Sequence, residues 1–170
     1  MHFELRRLRI VKALSKDSTC YTAEIWIDGR PAFAVGNRGT GGADFFKPIG
    51  SVSEADVSAR LSARVQGFQV GQSLVEPTLE SEVARLVQVA EQKRALRARL
   101  RTHIITIEDR AVYRYALRTR TAAEVITAIR RAQPSAVIVN EGEDPALIQA
   151  ATILVAEALQ DSHSDFARSE

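Results

Sequence analysis

The sequence predicts an α+β protein: an N-terminal antiparallel β-meander, long central helices, then a β-hairpin and a βα unit with a C-terminal helix. Three observations predict this class. Apolar residues alternate with polar ones on both sides of the Asp28-Gly29 dipeptide, helical spacing takes over after residue 50, and a period of two returns at His103. The chain has 170 residues, 45% of them hydrophobic and 26% charged, which is typical of a globular protein.

Residues 1–50 are predicted to form the meander. Asp28-Gly29 favours a type I′ turn because both residues adopt positive φ at low cost, so the flanking segments should pair as a hairpin. On the first hairpin strand, Tyr21, Ala23, Ile25 and Ile27 share one face. The predicted strands are Leu5–Leu14, Tyr21–Ile27, Pro31–Gly36 and Asp44–Pro48.

Residues 51–101 are predicted to be helical. Ser51 and Glu54 have the spacing of a capping box, and a second, longer helix should begin near Pro77 and Thr78. The first helix carries apolar residues at helical spacing: Val57, Leu61, Val65 and Phe68, until Gly67 and Gly71 weaken the pattern. The second helix carries one predicted apolar stripe: Leu79, Val83, Leu86, Ala90, Leu96 and Leu100.

Residues 102–160 are predicted to contain a hairpin that turns at Asp109-Arg110, followed by a helix, a strand and a last helix. The first of these helices should begin at the Thr121/Glu124 capping box and stop before Pro134. The strand Ala136–Val139 is predicted to be covered on both faces and to complete a parallel βαβ unit. The last helix should begin at Asp144-Pro145 and bury these apolar residues: Leu147, Ile148, Ala151, Leu154, Val155 and Ala158. Residues 161–170 are predicted to form a flexible tail.

Composition excludes several classes of protein. Cys20 is the single cysteine, which excludes an internal disulfide and a cysteine-based zinc cluster and fits a reducing compartment. No apolar run approaches the roughly 20 residues of a membrane span, and the first residues lack a secretory h-region. We therefore expect a cytoplasmic protein with no membrane association.

Few residues point to chemistry. The glycine-rich segment Asn37, Gly39, Gly41 and Gly42 offers backbone amides for a phosphate, but it lacks the lysine and hydroxyl of a P-loop, and a turn also explains it. The histidines are scattered, without metal-ligand spacing. The sequence predicts no catalytic residue, no metal site and no cofactor.

Arginines form the stronger candidate site. Arg94, Arg97 and Arg101 have the spacing of one helical face, whereas Arg114 and Arg118 are predicted to share a strand face. Guanidinium groups make forked contacts to phosphate or carboxylate, so together these residues are predicted to bind a protein partner or a nucleic acid.

Two blocks, Thr19–Arg30 and Val35–Gly42, carry a strand, an Asp-Gly turn, a strand and an Asn-x-Gly-x-Gly-Gly end. In this respect the chain resembles small proteins of phages and bacterial mobile regions. The resemblance extends to about two thirds of the chain, since it includes a strand near Ile104, a helix near Val125 and a strand ending at Val139-Asn140. The resemblance implies a shared architecture and assigns no functional residue.

The leading hypothesis is a non-enzymatic binding protein of phage or mobile-element type, engaging a host or phage protein, or a protein–nucleic-acid complex, through the arginine-rich face. One alternative is a small nucleotide- or phosphate-binding protein or enzyme that uses residues 37–42. Another is a structural homo-oligomer, such as a homodimer formed through the long helix at residues 79–100.

Overall fold

The computed structural model describes residues 2–64, 68–70, 73–75 and 78–166. The predicted α+β class is confirmed: an antiparallel N-terminal meander is followed by a long helix, a second small sheet and a C-terminal helix. The chain divides into two compact units, Met1–Val87 and Gln88–Glu170. The division falls inside the long helix.

The N-terminal unit is built on a four-stranded antiparallel sheet in the order β1-β2-β3-β4. A short 3-10 helix, Lys12–Leu14, joins the first two strands. The strands are β1 (Phe3–Ile10), β2 (Tyr21–Ile27), β3 (Arg30–Asn37) and β4 (Phe45–Pro48).

The predicted hairpin turn is confirmed. Asp28 and Gly29 have φ values of 49° and 79°, as a type I′ turn requires, and Ile27 pairs with Arg30. The predicted face of β2 is buried in the core, and its largest neighbour there is Phe33 of β3, which is fully buried. This core fixes which side of the sheet faces the helices.

The first helix, α1 (Glu54–Arg64), begins two residues later than predicted. Ser53 is the N-cap, because its hydroxyl accepts from the amide of Asp56 at 3.1 Å and its carbonyl accepts from the amide of Val57. The Ser51/Glu54 prediction was therefore wrong. Phe68 was also predicted as helical, but it begins β5 (Phe68–Val70), which pairs antiparallel with β6 (Ser73–Val75). The predicted helical residue Val65, the breakers Gly67 and Gly71, and Pro77 lie outside the described residues.

The long helix, α2 (Leu79–Arg99), is capped by Thr78, whose hydroxyl accepts from the amide of Ser81 at 3.1 Å. The single predicted apolar stripe was wrong, because two stripes share the helix. Its first half contributes Leu79, Val83 and Val87 to the core of the N-terminal unit. Its second half contributes Val89 and Leu96 to the core of the C-terminal unit.

The C-terminal unit contains a three-stranded sheet in the order β8-β7-β9, with both outer strands antiparallel to β7. Strands β8 and β9 thus run parallel and are joined through α3, as the predicted βαβ unit requires, but they do not pair directly because β7 lies between them. Val137 is 44% exposed, so β9 is not covered on both faces as predicted. The elements are β7 (His103–Glu108), β8 (Ala111–Ala116), α3 (Ala122–Ala132), β9 (Val137–Ile138) and α4 (Asp144–Phe166).

The helices of this unit cover the sheet on both faces. Val125 and Ile129 of α3 pack with Ile104 on one face, and residues of α4 pack with Ile105 and Ile107 on the other. The Thr121/Glu124 capping box is confirmed, whereas Ile148, predicted to be buried, is 43% exposed. Helix α4 continues to Phe166, over part of the segment that was predicted as a tail.

The β7–β8 turn carries two positive φ values without a glycine: Asp109 has φ 47° and Arg110 has φ 68°. We expect Arg110→Gly to stabilise the protein by about 1 kcal/mol, because the left-handed conformation costs an L-residue roughly 1–2 kcal/mol and glycine little. Urea unfolding of this variant and of Arg110→Ala measures the effect. Arg110→Ala keeps the Cβ and should gain nothing, and an equal gain in both variants would contradict this explanation.

Candidate polyanion-binding site

The open end of the β7–β8 hairpin brings two distant segments of the chain together. His103, the first residue of β7, pairs with Ala116, the last residue of β8. One residue further out, the amide of Leu117 donates to the carbonyl of Thr102 at 2.9 Å. The segment that leads from α2 into β7 therefore adjoins the segment that leads from β8 into α3.

Each of these two segments carries a pair of exposed arginines in a tight turn. The amide of Thr102 donates to the carbonyl of Arg99 at 3.0 Å, and the amide of Arg120 donates to the carbonyl of Leu117 at 2.9 Å. Arg118 has φ 51°, a left-handed conformation that turns the chain sharply after the strand. We call the four exposed arginines of these turns the hairpin-end cluster: Arg99, Arg101, Arg118 and Arg120.

Asn140, which follows β9, fixes the α2–β7 segment in place. Its side-chain oxygen accepts from the amide of Ile105 at 2.7 Å, and its side-chain nitrogen donates to the carbonyls of Leu100 and His103 at 3.3 and 2.9 Å. One side chain thus satisfies backbone groups on both sides of Arg101. The backbone that carries Arg101 is therefore held against the end of β9.

The charge around the hairpin end is strongly positive. Residues 93–120 contain nine arginines and lysines and two acidic residues, a net charge of +7. In the part of the chain that the structure describes, no carboxylate lies within 4.0 Å of a guanidinium group of the hairpin-end cluster. These four charges are therefore available for a ligand, and Arg120 also helps the hydrogen bonds of Thr121 to hold the pKa of Glu124 below its ordinary value.

The structure separates the three arginines that were predicted to share a helical face. Helix α2 ends at Arg99, so Arg101 lies beyond it, in the hairpin-end turn. Arg97 instead forms an ion pair with Asp144 at the start of α4, and the ammonium group of Lys93 donates to the same carboxylate at 3.0 Å. The Lys93 hydrogen bond, with the charge of Arg97, holds the pKa of Asp144 below its ordinary value. Arg94 is exposed on α2, five residues before Arg99.

The two arginines that were predicted to share a strand face are also separated. Strand β8 ends at Ala116, so Arg118 lies past it and joins the hairpin-end cluster. Arg114 is exposed on the strand, opposite Ile105. Of the five predicted residues, Arg101 and Arg118 are brought together.

Sequence reasoning missed the other half of the cluster, Arg99 and Arg120. The signal was present in the two arginine-rich sequences that bracket the hairpin, Arg99-Leu100-Arg101-Thr102 before it and Arg118-Thr119-Arg120-Thr121 after it. Since the two strands of a hairpin end side by side, residues just outside a predicted hairpin are neighbours in space.

The glycine-rich segment is a structural turn closed by its own side chains. Asn37 accepts from the amide of Gly39 at 2.8 Å and donates to the carbonyl of Gly42 at 2.8 Å, and the hydroxyl of Ser18 accepts from the amide of Gly41 at 3.2 Å. The carbonyl of Gly39 accepts from the amides of residues 16 and 17. Two of the amides that a phosphate would need are already bonded within the protein, so the geometry favours a structural role.

The acidic surroundings of this turn are a second reason to assign it a structural role and not a phosphate site. Asp44 accepts hydrogen bonds from Asn37 and from the hydroxyl of Tyr21, and its own amide donates to Glu80 at 3.3 Å. Burial, followed by the hydrogen bond to Asp44, raises the pKa of Tyr21 far above its ordinary value, so the phenol stays protonated. Carboxylates this close disfavour a bound anion.

The large apolar residues on the two stripes of α2 are buried in the protein's own cores, and none of the strongly exposed apolar residues described lies on that helix. Among the described residues, no cluster of three or more potential metal ligands is present, and no helix has both the length and the apolar character that crossing a bilayer requires.

Comparison with known proteins adds no further information about the site. No protein-family model matches the sequence, and no curated protein or solved structure matches it significantly. The function is therefore inferred from the chemistry of the hairpin-end cluster.

Proposed function

We propose that this chain is a non-enzymatic binding protein that engages the phosphate backbone of a nucleic acid through the hairpin-end cluster. One observation carries the proposal: the fold brings Arg99, Arg101, Arg118 and Arg120 to one end of a hairpin, where they are exposed and form no ion pair within the described residues. Isolated surface arginines are ordinary, but four on two adjoining turns form a positive surface of the kind that phosphate contacts use.

The contacts that hold the hairpin-end cluster in place favour a binding role over a catalytic one. The turns are held by backbone hydrogen bonds and by Asn140, which are positioning contacts. Beside them the hydroxyl of Thr102 donates to the carbonyl of Arg99 at 3.3 Å and lies 2.9 Å from Nδ1 of His103, contacts that tie together neighbouring residues of the same turn. Arginine suits this role because its planar fork can bond two phosphate oxygens at once. The phage or mobile-element setting implied by the resemblance stays a prediction.

Salt-dependent binding tests the proposal. Fluorescence anisotropy with labelled random-sequence DNA, single-stranded and duplex, gives the affinity at several salt concentrations. Each phosphate contact contributes about 0.9 to the slope of log K against log salt on duplex DNA, so replacing the four clustered arginines by glutamine should lower the slope by about 3 to 4. We expect the affinity at about 100 mM salt to fall more than tenfold.

A matched control removes the same charge elsewhere. Arg9, Lys12, Arg30 and Arg38 are exposed residues of the N-terminal unit, and their replacement by glutamine gives the same net charge as the cluster variant. We expect this control to keep most of the affinity and slope. Equal losses in both variants, or wild-type protein that binds neither DNA nor RNA at low salt, would reject the proposal. Binding of a labelled glutamate-rich peptide alone would assign the cluster to an acidic protein partner.

A further inference from the structure

Strand β8 leaves the backbone groups of Val112 and Arg114 unpaired along one side, whereas the carbonyl of Ala116 accepts from the guanidinium of Arg120 at 3.5 Å. The strand lies at the edge of its sheet, opposite Ile105 of β7. The backbone groups of Ile105 point away from β8: its N–H donates to the side chain of Asn140, and its carbonyl accepts from the amide of Val139. Antiparallel pairs alternate between bonded and non-bonded residues, so Arg114, opposite Ile105, and Val112, two residues earlier, direct their N–H and C=O groups outward. Within the described residues, these groups have no hydrogen-bond partner.

The edges of the other sheets are short or interrupted. In β1 a bulge at Arg7, with φ 53°, breaks the register, and β4 has four residues that end in Lys47-Pro48. Strand β9 has two residues. Natural proteins use bulges, charged side chains, proline and short length to prevent edge pairing. Strand β8, Ala111–Ala116, has six residues without a bulge or a proline, and Arg114 is its one charged residue.

We infer that β8 pairs with β8 of a second copy of this chain, antiparallel and with Tyr113 on the two-fold axis. Outward-facing residues must lie opposite each other for the hydrogen bonds to form. This condition allows three registers, centred on Val112, on Tyr113 or on Arg114. One places Arg114 opposite the partner's Arg114, and another places Arg114 opposite the partner's Arg110. Like charges directly opposite destabilise a strand pair, so both are disfavoured.

The Tyr113-centred register avoids both conflicts. It places Arg114 opposite the partner's Val112 and Tyr113 opposite the partner's Tyr113, where the side chains of a non-bonded pair approach closely. Tyr113 is 48% exposed, and an aromatic pair of this kind stabilises a sheet. A second copy supplies a strand of the same length with the same outward groups, as a two-fold interface requires. This inference is independent of the proposed nucleic-acid binding.

Mass measurement is the first test. Light scattering at about 100 µM protein should show a dimer that dissociates on dilution, since interfaces smaller than about 1,200 Å² are usually weak. Tyr113→Lys should give a monomer through lysine repulsion, and Arg114→Pro should give one by removing an outward N–H that β7 does not use. Leu14→Lys, at a residue 55% exposed on the N-terminal unit, is the control and should stay dimeric.

Cysteine cross-linking tests the register. Tyr113→Cys should form a disulfide-linked dimer under mild oxidation, whereas Ala111→Cys and Tyr115→Cys alone should not. Mixed together, the latter two should cross-link, because residue 111 faces residue 115 in this register. A wild-type monomer at 100 µM, a dimer that survives both edge variants while folded, or cross-linking at 111 or 115 alone would overturn the inference.

Discussion

Gly39→Ala is expected to destabilise the protein by about 2–5 kcal/mol. Gly39 has φ +82°, which costs an L-residue roughly 1–2 kcal/mol. A Cβ at this position would also collide with the carbonyl oxygen of Leu14 and lie 2.8 Å from the Cβ of Cys20. Neither neighbour is the free end of a flexible side chain, so backbone must move. Urea unfolding followed by circular dichroism measures the loss.

Gly42→Ala is the matched control in the same turn. A Cβ on Gly42 meets nothing within 4 Å, so its effect should stay within about 0.5 kcal/mol. The comparison also separates the two interpretations of the segment. A structural turn predicts a large loss at Gly39 and almost none at Gly42, whereas a phosphate site predicts lost thermal stabilisation by nucleotides in both variants. Equal stability of the two variants would contradict the structural role.

Asn140→Ala is expected to cost about 2–4 kcal/mol. The change leaves the amide of Ile105, a fully buried residue, and the carbonyls of Leu100 and His103 without their side-chain partner. A buried group left without a partner costs about 1–3 kcal/mol. We also expect faster hydrogen exchange at the amide of Ile105, whose acceptor is the Asn140 side chain, and mass spectrometry of exchanged peptides measures it.

The neighbouring residue provides the control. Glu141 forms an ion pair with Arg130 at 2.6 Å between side chains that are both well exposed. Exposed pairs contribute about 0–1 kcal/mol, so Glu141→Ala should have little effect on unfolding and none on exchange at Ile105. If Asn140→Ala unfolds at the same urea concentration as Glu141→Ala, Asn140 does not anchor the hairpin end.

Features that depend on adjacent residues were predictable from the sequence. The Asp28-Gly29 turn is local, since two residues that accept positive φ determine how the chain reverses. The Thr121/Glu124 capping box is local too, because both hydrogen bonds close within one helical turn. At Ser53, by contrast, two serines two residues apart competed for the cap, and Asp56 bonds to the second one.

Features that depend on distant residues were not predictable in this way. The two halves of α2 bury different stripes in different cores, so a single helical period described neither. The position of β9 depends on which strand it pairs with. It pairs with β7, and Val137 lies opposite Ile107. Nothing near β9 in the sequence specifies that choice.

The candidate site shows the same limit. Helical spacing grouped Arg97 with Arg101, but Arg97 bonds Asp144, 47 residues further on, and helix α2 ends before Arg101. The positive charge of the segment was visible in the sequence, whereas its concentration at the hairpin end depends on strand pairing. The charge follows from composition alone, whereas the grouping follows only when the two predicted strands of the hairpin are paired.

Cys20 gives the N-terminal unit an internal reporter of local opening. The thiol is buried with an exposed fraction of 8%, next to Gly39, and it is the single cysteine of the chain. A thiol reagent reaches a buried thiol when the structure around it opens, and the turn at Gly39 is part of that structure, so the labelling rate of unmodified protein measures local opening of this region. The free energy of this opening can therefore be followed under native conditions, without denaturant and without introducing a label site.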